Sequence, residues 1–145
     1  MLYGLAGTMM NKAHIRRLDG FQNRCIRQII GVRPSWLSRV SNAEVLSRAG
    51  HTAASTQLLY RQMLLFGDVL RASENSLLRR CTFAPNSLTP KTAVGVRRVG
   101  APSREFAPTM LKHAARIFGD VHAASAAAQS GPAWKHTLRR HILTA

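Results

Sequence analysis

The acidic residues come first, because carboxylates carry most metal-dependent and acid–base chemistry. The chain has six of them, and no two are adjacent: Asp19, Glu44, Asp68, Glu74, Glu105 and Asp120. Two-metal phosphoryl transfer needs carboxylates gathered around ions about 3.5–4 Å apart. The spacing offers no such group, so the sequence predicts no catalytic residue and we expect no catalysis from this chain alone.

The histidines and cysteines are equally scattered. His136 and His141 are five residues apart and would lie on different sides of a helix, while Cys25 and Cys81 stand in unrelated segments without a Cys-x-x-Cys pair. A structural zinc site takes four nitrogen or sulfur ligands that cluster in sequence or in space. We therefore predict no metal site, no cofactor and two reduced thiols.

One glycine spacing resembles a phosphate-binding loop. Gly95 and Gly100 enclose four residues, but Ala101 and Pro102 follow where the P-loop requires Lys and then Ser or Thr. Arg97 and Arg98 lie between the glycines. We predict that they contact a phosphate backbone, and a plain surface linker is the alternative that the spacing leaves open.

The net charge defines the class of partner. The 21 Lys and Arg residues outnumber the acids by 15, and the sequence pI is near 11.7. Such an excess favours a polyanion, and nucleic acid is preferred to a membrane because the 46% hydrophobic residues are needed for a core. No apolar run is long enough to cross a bilayer. The 6% aromatic content is modest for a protein that binds single strands by stacking.

An amphipathic helix is predicted from Lys12 to Ile30. Its apolar residues recur at three- and four-residue steps: Ile15, Leu18, Phe21, Cys25, Ile26, Ile29 and Ile30. The opposite side carries four arginines: Arg16, Arg17, Arg24 and Arg27. Gly31 and Pro34 should end the helix. A nucleic-acid contact and a merely solvated face are both compatible with this basic side.

Two more helices follow. Ser41 to Glu44 has the Ser-x-x-Glu form of a capping box, which predicts a short helix that runs to Ala49 and closes at Gly50. The segment from Ala54 to Ala72 is the most apolar helix and should form the centre of the core. Its stripe consists of Leu58, Leu59, Met63, Phe66, Val69 and Leu70, with Leu64 and Leu65 widening it.

Prolines and glycines interrupt the region from Ser73 to Ala107, which predicts a long loop whose part from Lys91 to Arg104 is exposed and basic. Leu77, Leu78 and Phe83 should pack its start onto the core. An Ala-rich helix from Pro108 to Ala128 is expected next. After Gly131 and Pro132, a last short helix should bury Trp134, Leu138 and Ile142 and expose Lys135, Arg139 and Arg140.

The fold class predicted from these elements is all-α, with about five helices around one core and a long basic Gly/Pro-containing loop. We divide the chain into a helical part at 1–73, a basic loop region at 74–107 and a C-terminal helical part at 108–145. The first and last parts are expected to pack as one domain.

Several segments resemble, in order, the region that follows the polymerase core in reverse transcriptases of LINE-type (non-LTR) retrotransposons. Residues 2–4 (LYG) and 17–31 (RLDGFQNRCIRQIIG) are similar to the family patterns LYGxExW and LDxFxxRCLRxILG. Residues 39–46 (RVSNAEVL) resemble VTNxEVL, and residues 61–71 (RQMLLFGDVLR) resemble RRLxxLGHVxR. Residues 95–102 parallel a basic Gly-Arg-Pro loop, with Ala101 in place of the arginine. Trp134 and the pair Arg139 and Arg140 parallel the closing Trp and Arg pair.

This resemblance implies a thumb and post-thumb fragment of an RNA-directed DNA polymerase, without the palm metal site or the endonuclease. Its implied role is non-catalytic: it would hold template RNA, primer DNA or their hybrid by phosphate contacts, with a polymerase core as a further partner. Together with the charge pattern, it yields seven candidate nucleic-acid-binding residues: Arg16, Arg24, Arg27, Arg97, Arg98, Arg139 and Arg140.

Two other functions stay open at this point. The turn at Ala49 to Thr52 between two helices resembles that of a helix-turn-helix, which would place Gln57 and Arg61 on DNA. The chain could also be a non-functional relic of a retrotransposon. We expect a nuclear or cytoplasmic location, and prefer a core helix to an organellar transit peptide for Met1 to Ile30.

Overall fold

The structure is a computed structural model that describes residue 2 and residues 4–91 and 105–144. These residues contain eight α-helices. They are α1 (Lys12–Ile29), α2 (Ser35–Ser38), α3 (Asn42–Arg48), α4 (Ala54–Arg71), α5 (Leu77–Thr82), α6 (Phe106–Phe118), α7 (Val121–Gln129) and α8 (Gly131–Leu138). A 3₁₀ turn (Leu5–Gly7) precedes α1, and a π-helical turn (Arg139–Leu143) continues α8. The described residues contain no strand, which confirms the all-α class.

Helix α4 is the centre of the core, as its apolar stripe predicts. Eight of its 18 residues are buried. It packs against α6, α7, α8 and the π-helical turn, and these elements add apolar side chains to one continuous cluster. Residues before Ser73 and residues after Pro108 therefore share a core, in which Met63, Phe66 and Trp134 are fully buried.

Trp134 joins the C-terminal helices to α4. Its indole N–H donates a hydrogen bond to the carbonyl of Met63 over 3.0 Å, and its ring stacks parallel on Phe118 with 4.7 Å between the ring centroids. The ring lies directly against Gly67, where a Cβ atom would come within 2.4 Å of the indole nitrogen. The contact therefore depends on a glycine at that turn of α4.

Helix α1 is attached to the N-terminus of α4 by side-chain caps. The carboxylate of Asp19 accepts from the backbone N–H of Ser55 over 2.8 Å. The side-chain amide of Gln22 accepts from the N–H of Ala54 and donates to the carbonyl of Thr52. The first amides of a helix have no intrahelical partner. Asp19 and Gln22 each supply a partner for one of these amides. The two contacts together fix the rotation of α1 about its own axis.

The predicted ends of α1, α3 and α4 are confirmed to within a residue or two. Ser41 caps α3 through its hydroxyl, which accepts from the N–H of Glu44, and Gly50 closes it at φ 64°. The Glu44 carboxylate, however, pairs with Arg48 rather than completing the capping box. At the other end of the chain, Trp134, Leu138 and Ile142 are buried and Lys135, Arg139 and Arg140 are exposed, as predicted.

The single Ala-rich helix predicted from Pro108 to Ala128 is wrong. Gly119 adopts φ 90° and Asp120 caps a new helix, so α6 and α7 are separate elements that pack on each other. Alanine favours a helix at every position and therefore does not mark this break, whereas the Gly-Asp pair does. This break adds one helix to the predicted five, and α2 and α5 bring the number in the described residues to eight.

The predicted loop after Ser73 contains α5, which Ser76 caps through its hydroxyl. Phe83 is buried as expected, but Leu77 and Leu78 are exposed, because the arginine Arg79 takes the inward position instead. Its guanidinium lies over the Phe83 ring and bonds to Glu74 and to the carbonyl of Leu70. The exposed basic loop predicted from Lys91 onward lies, after that residue, outside the described residues.

The apolar side of α1, which the sequence places on one side of a core helix, is only partly covered. Ile26 is buried, whereas Phe21 is 52% and Ile29 is 82% exposed. Periodicity shows which side chains share a face of a helix but not how wide the partner surface is. Helix α1 packs against α3 and α4, and part of its apolar side is left open.

We predict that Gly67→Ala lowers the free energy of unfolding by about 1–3 kcal/mol, the usual cost of overpacking a close-packed core. The new methyl group would meet three atoms of the rigid Trp134 ring within 3 Å. Chemical denaturation followed by circular dichroism measures the change.

Gly20→Ala is the matched control, because Gly20 lies within α1 and a Cβ there meets nothing within 4 Å. It should raise stability by about 0.5–1 kcal/mol through helix propensity. Equal effects of the two substitutions would contradict the role given to the Trp134 contact.

Candidate nucleic-acid interface

A first basic surface lies on α1. Arg16, Arg17 and Arg24 are all exposed, and at 3.6 residues per turn they fall within about a third of the helix circumference. Their outward direction follows from the Asp19 and Gln22 caps, which hold the opposite side of α1 against α4. Arg16 and Arg24, two of the candidate residues, therefore share one solvent-facing side of a rigid element.

A second basic surface lies at the C-terminal end of the described chain. Lys135, Arg139 and Arg140 are exposed on α8 and its π-helical continuation. The buried residues Trp134, Leu138 and Ile142 recur every four residues, so the intervening cations must point outward. Arg139 and Arg140 thus hold the exposed positions that the sequence predicts for them.

The described carboxylates leave both basic surfaces uncompensated. Three ion pairs occur among the described residues, and none involves an arginine of either surface: Glu44 with Arg48, Asp68 with Arg71 and Glu74 with Arg79. Asp19 and Asp120 accept from backbone N–H groups instead. The cations of α1 and of the C-terminal turn are therefore available to an external anion.

Arg27 has a structural position, which corrects its assignment to the exposed side of α1. It is only 7% exposed. Its guanidinium donates to the carbonyls of Arg33 and Val40 and to the side-chain oxygen of Asn42, at 2.7–3.0 Å. Arg27 thus ties the end of α1 to the segment that leads into α3 and is not presented to an external phosphate. The remaining candidates, Arg97 and Arg98, lie outside the described residues.

A groove of about 580 Å³ opens between α1 and the α2 segment. Trp36, which is 78% exposed, and Arg24 both line it, and none of its lining residues is acidic. Asn23 also lines the groove but is only 6% exposed, and its side-chain amide donates to the carbonyl of Asp19 within α1.

Sequence reasoning did not single out Trp36. Helix α2 is only one turn long, so no apolar periodicity indicates which of its side chains are buried. The one available signal is Pro34, which precedes α2 with φ −50° and indicates the start of a short helical turn around the tryptophan. Arg39, with φ 55°, ends the turn.

The helix-turn-helix alternative places α4 in a DNA groove, and the structure gives that helix a different environment. Its N-terminal amides, which a recognition helix would bring towards the bases, are covered by Asp19 and Gln22 from α1. Gln57 donates to the hydroxyl of Thr52 within the turn, while Arg61 is exposed. These contacts favour a core role for α4.

A second cleft, of about 400 Å³, lies between the N-terminal segment, α4 and α6, and its lining is mainly apolar. His113 on α6 is a half-buried member of that lining. Burial, and secondarily the nearby charge of Arg116, lower the pKa of His113 below 6.5. The neutral imidazole is therefore the form that the fold favours.

The described residues also bear on metal binding and on membrane insertion. Within residues 2, 4–91 and 105–144, no three His, Cys, Asp or Glu side chains come together as ligands of a metal ion. Both cysteines are free. None of the described helices combines the length and apolar character that a bilayer crossing requires.

Comparison of the chain with protein-family models, with curated proteins and with solved structures found no match.

We predict that Arg27→Ala lowers the free energy of unfolding by at least about 2 kcal/mol, because it removes three hydrogen bonds and a single hydrogen bond to a charged group contributes about 1.5–3 kcal/mol. Urea denaturation measures the change. Arg24→Ala removes the same side chain from an exposed position of the same helix, and should shift stability by no more than about 0.5 kcal/mol. A neutral effect of Arg27→Ala would show that the tie to Arg33, Val40 and Asn42 does not stabilise the fold.

We predict that His113 makes the fold less stable in mild acid. Because its pKa is lowered in the folded state, the unfolded chain binds the proton more readily, so this contribution is complete above pH 6.5 and is lost as the pH falls. Thermal unfolding from neutral to mildly acidic pH should show a smaller loss for His113→Gln than for the wild type. His122→Gln, which removes an exposed imidazole, should retain the wild-type slope; equal slopes for all three proteins would exclude this effect of His113.

Proposed function

We propose that this chain binds nucleic acid through phosphate contacts along two basic helical surfaces and does no chemistry of its own. The observation that carries the proposal is a set of exposed cations on α1, α8 and the π-helical turn that form no ion pair with a described carboxylate: Arg16, Arg17, Arg24, Lys135, Arg139 and Arg140. Arg27 is left out of this set because its donors are already engaged within the chain.

The electrostatics support this partner class. A cation bound to a phosphate releases counterions that had condensed on the nucleic acid, and this release supplies most of non-specific binding. Arginines paired with carboxylates lose that capacity, but the three ion pairs of the described residues engage Arg48, Arg71 and Arg79 instead. The guanidinium groups are also held on helices, so few backbone degrees of freedom need to be ordered on binding.

The proposal extends to the family of proteins from which the chain derives. We infer that the chain is a fragment similar to the C-terminal region of a LINE-type reverse transcriptase, which holds template and primer in the nucleus or cytoplasm. The segments that resemble the family coincide with helices: residues 17–31 overlap α1, residues 39–46 overlap α3 and residues 61–71 lie in α4. An all-α element is compatible with a thumb. A polymerase core is the protein partner that this origin implies.

We predict that binding to duplex DNA and to RNA–DNA hybrid weakens steeply with salt. The logarithm of the binding constant should fall with the logarithm of salt concentration at a slope of about −0.9 for each phosphate neutralised on B-DNA. Fluorescence anisotropy of labelled duplexes measures it. Arg16→Gln and Arg139→Gln should each weaken binding to every sequence and reduce the slope by about 0.9.

Arg48→Gln is the matched control, since it also removes one exposed positive charge but from an arginine that is already paired with Glu44. Its slope should stay close to that of the wild type. Binding that ignores salt, or no binding at low salt, would overturn the proposal. Equal losses in all three variants would show that net charge rather than these surfaces determines affinity.

A further inference from the structure

The groove beside α1 holds the most exposed aromatic side chain described above. Trp36 lies in the short α2, between Pro34 and the left-handed Arg39. The three hydrogen bonds of Arg27 fix the segment on either side of α2, because they reach Arg33 before it and Val40 and Asn42 after it. The position of Trp36 is therefore built into the fold, and its ring is left uncovered.

We propose that this groove binds an unpaired nucleotide of single-stranded RNA or DNA, with the base stacked on Trp36 and its phosphate on Arg24. The inference rests on the proposed function and adds the form of nucleic acid that one site selects. Gln28, an exposed member of the lining, offers its side-chain amide to the base edge.

The lining favours a nucleotide over an apolar peptide. Its described residues combine one aromatic face, the exposed cation Arg24 and amide groups, and none of them is a carboxylate. Stacking on an aromatic side chain tolerates every base, and a nearby arginine holds the backbone, which is how non-specific single-strand sites are built. Helical duplexes keep their base faces stacked on one another, so a duplex cannot offer a base to Trp36 without unstacking it.

The low aromatic content of the chain is compatible with a site for a single base. Few aromatic residues are present, and several of them form the core, as Phe66, Phe83 and Trp134 do. A single exposed tryptophan cannot provide a continuous stacking platform along a strand. It provides one pocket for one base, so most of the affinity stays with the phosphate contacts and the groove contributes the preference for unpaired strands.

The test uses the intrinsic fluorescence of the two tryptophans. Trp134 is fully buried and stacked on Phe118, whereas Trp36 is exposed, so quenching by an added strand reports on Trp36. The probes are short oligothymidylate and oligouridylate strands, a blunt DNA duplex of equal length and inorganic polyphosphate. We expect the single strands to quench the emission and the duplex and polyphosphate to bind without quenching.

Trp36→Ala should weaken single-strand binding by about 5- to 100-fold, the range for loss of one base–aromatic stack, and leave duplex and polyphosphate affinity unchanged. Trp36→Phe should retain part of the binding. The matched control is Leu37→Ala, which removes a neighbouring side chain that is 53% exposed and outside the groove lining, and it should bind like the wild type. Circular dichroism checks that each variant is folded.

The outcomes separate this inference from the proposed function. Salt-dependent binding of single strands that is equal for the wild type and Trp36→Ala, without quenching, overturns the nucleotide site and retains the phosphate surfaces. Failure of every nucleic acid to bind overturns both. A loss in Leu37→Ala as large as in Trp36→Ala assigns the surface to general apolar contact and also overturns the inference.

Discussion

The packing of the Trp134 indole against Gly67 is the contact on which the described fold depends. Three elements meet at this ring: α4 supplies the bare glycine backbone and the Met63 carbonyl, α6 supplies Phe118 and α8 supplies the tryptophan itself. A large aromatic side chain contributes more buried apolar area than any other single residue. Its N–H must also find a partner when buried, and the Met63 carbonyl provides one. One side chain therefore fixes both the distance and the direction between chain segments separated by 71 residues.

The orientation of α1 follows from α4 in turn. Asp19 and Gln22 engage amides that the start of α4 cannot satisfy internally, and this contact turns one side of α1 inward. The arginines on the opposite side then face solvent, and no described carboxylate forms an ion pair with them. Asp19, on the same helix, accepts instead from the backbone N–H of Ser55 at the start of α4. The same carboxylate thus supports the fold without pairing with an α1 arginine.

Much of this arrangement is predictable from the sequence, because long amphipathic segments with clear caps carry their own boundaries. This holds for α1, α3 and α4, and for the inward positions of Trp134, Leu138 and Ile142. The prediction was wrong for the segment that forms α6 and α7, where a single helix was expected. Alanines occur on both sides of Gly119, so the composition does not mark the break between the two helices. It was also wrong where tertiary contacts decide exposure, as for Leu77 and Leu78, which were expected to pack on the core and are exposed. Arg16, Arg24, Arg139 and Arg140 hold exposed positions, as expected from helical spacing.

Arg27 and Trp36 show why the rest of the site could not be predicted. Helical spacing places Arg27 beside Arg24, but three acceptors that follow a tight turn draw its guanidinium inward. Its hydrophobicity alone would predict that Trp36 is buried. The hydrogen bonds of Arg27 to residues on either side of α2, however, fix a backbone position in which the ring is exposed. Arg27 is thus buried, whereas Trp36 is exposed and lines the same groove as the exposed Arg24. Charge alone suits any polyanion, whereas a groove lined by both a cation and an uncovered ring suits a ligand that has both a phosphate and a planar base. On the proposed function, the basic helices supply affinity that is indifferent to strandedness, and the groove formed by Arg27 supplies the discrimination that those helices lack.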